Sequence, residues 1–182
     1  PFTVQGKAEM AGVEPTYVAI SLAGQDLPLR WGDLFEGLAD VDVELRARPG
    51  RVEGQPGTTL APVISGEVNV RQGDMTLPLS GLGAAPTAQE GKRLPVDYRV
   101  RLNLGDDVWV HALGSRIRVQ GELWVLPHEQ TSEPVLAGTV DLSRGVLSVP
   151  FYNVSFRVHQ GQATFQSSRM PTLENVEAEF EE

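Results

Sequence analysis

The chain has 182 residues, 41% of them hydrophobic and 21% charged, with a formal net charge of −9. That composition is globular rather than disordered and long enough for a substantial core, and its acidity disfavours nucleic acid as a partner. With no cysteine there can be no disulfide, thiolate metal site or nucleophilic thiol, while the redox compartment stays open.

The opening residues Pro1, Phe2, Thr3 and Val4 carry neither an initiator methionine nor a basic-then-apolar leader, as expected of a fragment of a longer precursor whose targeting or anchoring segments lie outside it. No segment approaches the ~20 consecutive apolar residues that a membrane span requires. Residues 27–38 allow one short helical turn, because Gly32 and Gly37 work against a longer helix. Val41, Val43 and Leu45 then alternate with Asp40, Asp42, Glu44 and Arg46, the period of a strand with one dry face.

A 17-residue pattern starting at Pro62 recurs 72 residues later at Pro134. The pairs Pro62/Pro134, Val63/Val135, Gly66/Gly138, Val68/Val140, Gly73/Gly145 and Pro78/Pro150 coincide, and the pattern reads as strand, glycine turn, strand. Between the copies, residues 81–92 are small, polar and turn-rich, and are predicted to be a mobile loop. Val96, Tyr98, Val100, Leu102 and Leu104 alternate with Asp97, Arg99, Arg101 and Asn103. Gly105, Asp106 and Asp107 are predicted to turn this strand back into residues 108–112. A third strand follows Gly114 and Ser115, with Ile117, Val119, Leu123 and Val125 on its dry face. Beyond the second copy, Val154, Phe156 and Val158 form a strand that Gly161 is predicted to turn into Ala163 and Phe165. Leu173, Val176, Ala178 and Phe180 mark a last strand inside a structure expected to continue.

The predicted fold is therefore all-β: one domain over residues 1–182, built as a single elongated, strongly curved antiparallel sheet of stacked hairpins. Its concave face is expected to be an open apolar groove. About 12 strands at ~4.8 Å would make a trough roughly 55 Å long. A closed sandwich is the plainer reading of any one alternating strand, but repetition of a β unit favours the open stack.

Chemistry finds little support. His111 and His159 sit at polar phases and His128 in a turn, without metal-ligand spacing. Asp106 and Asp107 read as turn formers. Ser65, Ser80, Ser143 and Ser148 lack a nucleophile-elbow context, and no phosphate-binding glycine motif is present, so neither enzyme activity nor a cofactor is expected.

Strand phase instead predicts a groove lined by Val96, Tyr98, Val100, Leu102, Leu104, Val108, Val110, Ile117, Val119, Leu123, Val140, Leu142, Leu147, Val149, Phe156, Val158 and Phe165. Acyl chains fit such a surface, each buried CH₂ gaining ~0.8 kcal/mol. Val100→Arg is expected to leave an open groove folded and to unfold a closed core.

Two further readings belong to other classes. The sheet edges could dock an outer-membrane barrel or client strands by β-augmentation. A carbohydrate-binding β domain would need clustered aromatics, and Trp31, Trp109 and Trp124 are scattered along the chain.

The order of Gly121-Glu122-Leu123-Trp124-Val125, the second repeat copy from Pro134, Gly145-Val146-Leu147, Phe156, Gly161-Gln162-Ala163-Thr164-Phe165 and Pro171-Thr172-Leu173 resembles the TamB (translocation and assembly module) C-terminal domain, of the AsmA-like class of bridge-type lipid transfer proteins. The likeness runs from about Val96 to Ala178, with a looser echo from Pro62 to Leu79. It implies a periplasmic β-taco belonging to a protein anchored in the inner membrane through parts outside this fragment. It also implies an Omp85-class, TamA-like barrel as partner, phospholipid traffic between the membranes and a link to outer-membrane protein assembly. No catalytic residue is part of that implication.

Overall fold

The computed structural model describes residues 1–12, 14–31, 35–50, 59–76, 96–127, 134–149, 152–166 and 171–181. The loop predicted over residues 81–92 and His128 lie outside them. The described residues form β1 (Phe2–Ala11), β2 (Glu14–Trp31), β3 (Phe35–Gly50), β4 (Thr59–Thr76), β5 (Asp97–Ala112), β6 (Ser115–Pro127), β7 (Pro134–Val149), β8 (Val154–Gln166) and β9 (Thr172–Glu181). All nine join one open sheet in chain order, and every extensive contact between strands is between ladder neighbours.

Three expectations are corrected. First, the sheet is not wholly antiparallel: β4 and β5 run parallel, Val63 beside Asp97 and Thr76 beside His111, so these two strands are not a hairpin. Second, the supposed turns lie inside strands. Gly105, Asp106 and Asp107 are within β5, Gly161 within β8, and the described residues of the two copies of the repeat belong to the single strands β4 and β7. Of residues 27–38, those described are strand and not helix, belonging to β2 and β3. Third, the described residues form nine strands where about twelve were expected, because segments read as hairpins are long single strands. At ~4.8 Å per step, eight steps across the described strands span about 38 Å.

Strands β2, β3, β4, β5 and β7 are 16 or 18 residues long, about three times the usual length. What divides them is a line of β-bulges. Register breaks fall between Gly24 and Leu27, Leu38 and Ala39, Val70 and Gln72, Leu104 and Val108, Arg118 and Val119, and between Val158 and Gln162. The ladders place these breaks side by side, Ala39 pairing with Leu27 and Val70, Val70 with Leu104, Val119 with Leu142. A bulge bends its strand and tightens the local twist. A row of bulges in neighbouring strands is therefore a crease across the sheet, with a half-strand wall on each side.

The 72-residue repeat acquires a structural meaning from this crease. Arg71 in β4 has no ladder partner in β3 or β5, and Ser143, its counterpart in β7, has none in β6 or β8. Upstream of each, Gly66 and Gly138 hold φ of 140° and 133°, a region essentially closed to L side chains. The repeated unit is thus one bent strand.

Candidate functional site

Paired residues in a ladder project to the same side of a sheet, so the register sorts the side chains into rows running across the strands. One row reads Leu27, Ala39, Val70, Leu104, Gly121, Val140 and Ala163. Its neighbour across the crease reads Leu29, Gly37, Gly73, Val108, Val119, Leu142 and Gly161. Farther out on one wall come Val41, Val68, Leu102, Leu123, Gly138 and Phe165, then Leu22, Val43, Gly66, Val100, Val125 and Leu136. On the other wall lie Phe35, Met75, Val110, Ile117, Gly145 and Val158, then Leu147, Phe156 and Phe180.

Burial follows the crease. Ala39 and Val108 are 0% exposed and Val158 2%, and Val70, Leu104, Val119, Val140, Leu142 and Ala163 are also buried. Val110, Ile117, Leu102, Leu147 and Phe165 pack on this cluster while remaining partly exposed. Among the described residues no second layer covers them.

The predicted lining residues are therefore brought together, with one exception. Tyr98 faces Ile64, Val149 faces Val154, and the others sit in the rows above. Val96 is half-buried ahead of β5 and has no ladder partner. Sequence reasoning missed Leu22, Leu27, Ala39, Val41, Val43, Val68, Val70, Leu136 and Ala163, which join the same cluster. Alternation at Val41 and Val43 was a usable signal. In β2 and β4 the bulges at Asp26 and Arg71 hid Leu22, Leu27, Val68 and Val70, because an odd number of inserted residues reverses which positions face in.

The opposite side of the sheet is polar. Asn103 Nδ2 donates to Glu67 Oε1 at 2.6 Å and Asn69 Oδ1 at 2.7 Å, and Gln162 donates to Asp141 at 2.9 Å. Arg101 pairs with Glu122, and Arg118 donates to the Asp106 carbonyl. A hollow of about 760 Å³ is lined by Pro28, Arg30, Glu36, Leu38, Gln72, Asp74, Asp107, Trp109 and Arg116 of this side, together with Leu29, Gly37 and Gly73 of the apolar rows. Its polar groups engage one another: Arg116 stacks on Trp109 at 4.3 Å, Trp109 Nε1 donates to Asp107 at 3.2 Å and His111 meets Asp74 at 2.7 Å. His159 lies 3.4 Å from Glu179. Among the described residues no group of His, Asp and Glu is placed to hold a metal ion, and no helix is long and apolar enough to cross a membrane.

Three carboxyls on this polar side titrate low. The Asp26 backbone N–H, then the Arg71 guanidinium, hold Asp40 below its ordinary 3.8. Arg46 lowers Glu44, and Arg101 followed by Trp124 lowers Glu122, from an ordinary 4.5. A folded-state value below the unfolded one means the unfolded chain binds more protons as the pH falls. The stabilisation is thus whole above about pH 4.5 and is lost as the pH falls through the folded values. Urea midpoints measured down from neutral pH should fall below that point, and Glu122→Gln should flatten the fall.

Residues 1–181 match the family model described as TamB C-terminal domain, and no curated protein matches the chain.

Proposed function

The chain belongs to the TamB C-terminal domain family, and from that premise we propose that its creased sheet is a groove that carries phospholipid acyl chains between the inner and outer membranes. Family membership ties the chain to the translocation and assembly module of the envelope and to outer-membrane protein assembly, where the TamB domain works with an Omp85-class partner of TamA type. In the same reading the domain sits in the periplasm and its protein is held in the inner membrane by a segment outside these residues.

One observation carries it: two uninterrupted rows of Val, Leu, Ala and Gly flank the crease from β2 to β8, and burial is deepest along the line of bulges. Acyl chains laid along the crease would meet apolar atoms at every strand. With ~0.8 kcal/mol per buried CH₂ and no polar contact fixing their position, they would be held firmly and still slide. No reacting group is required, in keeping with a transport and assembly family.

The test is extraction of the purified chain with organic solvent followed by mass spectrometry. Phospholipid in near-stoichiometric amount is expected, and a lipid-free protein that stays empty after incubation with phosphatidylethanolamine and phosphatidylglycerol vesicles would refute the reading.

A second reading has its own observation. β1 and β9 are the outermost described strands, and they expose Phe2, Val4, Met10, Leu173 and Phe180. Such edges suit addition of a strand from a barrel or client protein. If prolines placed in β9 abolish barrel capture while an arginine in the groove does not, the edge is the working surface.

A further inference from the structure

Three side chains meet on the outer side of the crease in an arrangement that assembly or lipid burial does not require. Asp26 sits at the bulge of β2 with φ of 51°, a left-handed conformation uncommon for an aspartate. Arg71 is the residue of β4 left without a ladder partner on either side. Both turn onto Asp40 of β3, which lies between their strands. The Asp26 backbone N–H donates to Asp40 Oδ1 at 2.9 Å, and Arg71 donates through Nε and Nη2 to Asp40 Oδ2 at 2.9 and 2.6 Å. The remaining arm of the guanidinium reaches Asp26 Oδ1 at 2.8 Å. One cation therefore ties two bulges and the strand between them. The fold places it where β4 has no ladder partner on either side.

We propose that the line of bulges is a hinge and that Arg71, held by Asp26 and Asp40, is the latch that sets how far the two walls stand apart. The latch lies in solvent, so it responds to ionic strength: mobile ions screen exposed pairs, and the screening length falls from about 8 Å at physiological salt to about 3 Å at 1 M. Releasing it lets β2, β3 and β4 flatten and the groove widen at that end. The consequence for lipid, faster loading and release at the β2 to β4 end, rests on the groove reading above, but the hinge itself does not.

The absence of cysteine makes the hinge measurable. Glu36 and Arg48 are exposed on β3 on opposite sides of the crease, so nitroxides on Glu36→Cys and Arg48→Cys report the opening of the walls by pulsed electron resonance, without lipid. Raising sodium chloride to about 1 M is expected to broaden the distance distribution and move it outward. Arg71→Gln should do the same at low salt, leave the circular dichroism of the sheet unchanged and abolish any further response to salt. A distribution that ignores salt, or that moves with salt but not with Arg71→Gln in a folded protein, overturns the latch. Should Arg71→Gln fail to fold, the salt series on the otherwise unsubstituted protein decides. Because no lipid is present, a negative lipid-extraction result and a negative distance result remain separate findings.

Discussion

Replacing Gly145 by valine is expected to destabilise the chain by about 3 kcal/mol or more. Gly145 holds φ of 151°, and a Cβ built there would lie 2.1 Å from the Arg116 carbonyl oxygen of β6 and 2.7 Å from the Ile117 Cα. The obstacle is backbone in a paired strand and not a flexible side-chain end, so it cannot step aside without breaking the β6–β7 ladder. Strain at a glycine-only conformation costs about 1–3 kcal/mol by itself, and the lost ladder bonds add to it. For a domain of this size the loss reads as a fall in Tm of roughly 6–12 °C. Gly6→Ala is the control. A Cβ at Gly6 meets nothing nearer than the Ala19 carbonyl oxygen at 3.9 Å, and the change should stay within about 0.5 kcal/mol. Equal effects at the two positions would mean that the tight strand approach at Gly145 does not shape the fold.

Val110→Arg is expected to weaken binding of a fluorescent fatty-acyl probe at least about 100-fold, equivalent to about 2.7 kcal/mol, with the unfolding midpoint little changed. Val110 faces Met75 and Ile117 in the apolar rows, is partly exposed and lies two residues from the end of β5. Arginine at that place can run its methylenes along the wall and raise its guanidinium past the rim. An acyl chain crossing the same place loses three or four buried methylenes at ~0.8 kcal/mol each. Val100, proposed from sequence for the same test, is a poorer choice. At 9% exposed it gives an arginine nowhere to go, and loss of fold would be confused with loss of binding. Loss of probe binding with an intact fold supports the groove. Retained binding by a folded variant removes this wall from the lipid path.

Within each half-strand the facing of side chains was legible, because period-two alternation from Tyr98 to Leu104 or Ile117 to Leu123 survives untouched in β5 and β6. Where a half-strand ends, it was not. Gly105, Asp106, Asp107 and Gly161 are small or turn-forming residues that interrupt alternation, and a bulge and a turn present the same local pattern. Only the register of the neighbouring strand separates them: Leu104 and Val108 pair with Gly121 and Val119 of one strand, so the chain passes through the bulge without reversing. The parallel pairing of β4 with β5 was equally invisible, since no side-chain period reports strand direction. Strands β2, β3 and β4 contribute over a third of the positions in the apolar rows, yet the likeness seen in the sequence was carried mainly by residues after Val96, whereas the family match spans residues 1–181. Reversal of phase at Asp26 and Arg71 contributes to that gap, because it scrambles the alternation of β2 and β4.

Lipid contact can be read position by position by placing a benzophenone side chain at Leu147, in the apolar rows of β7, and at Thr139, exposed on the polar side of the same strand. After illumination with phosphatidylethanolamine and phosphatidylglycerol vesicles, intact-mass measurement should show a phospholipid-sized adduct at position 147 and none at 139. Adducts on the polar side alone, or at neither position, would contradict a lipid-carrying groove.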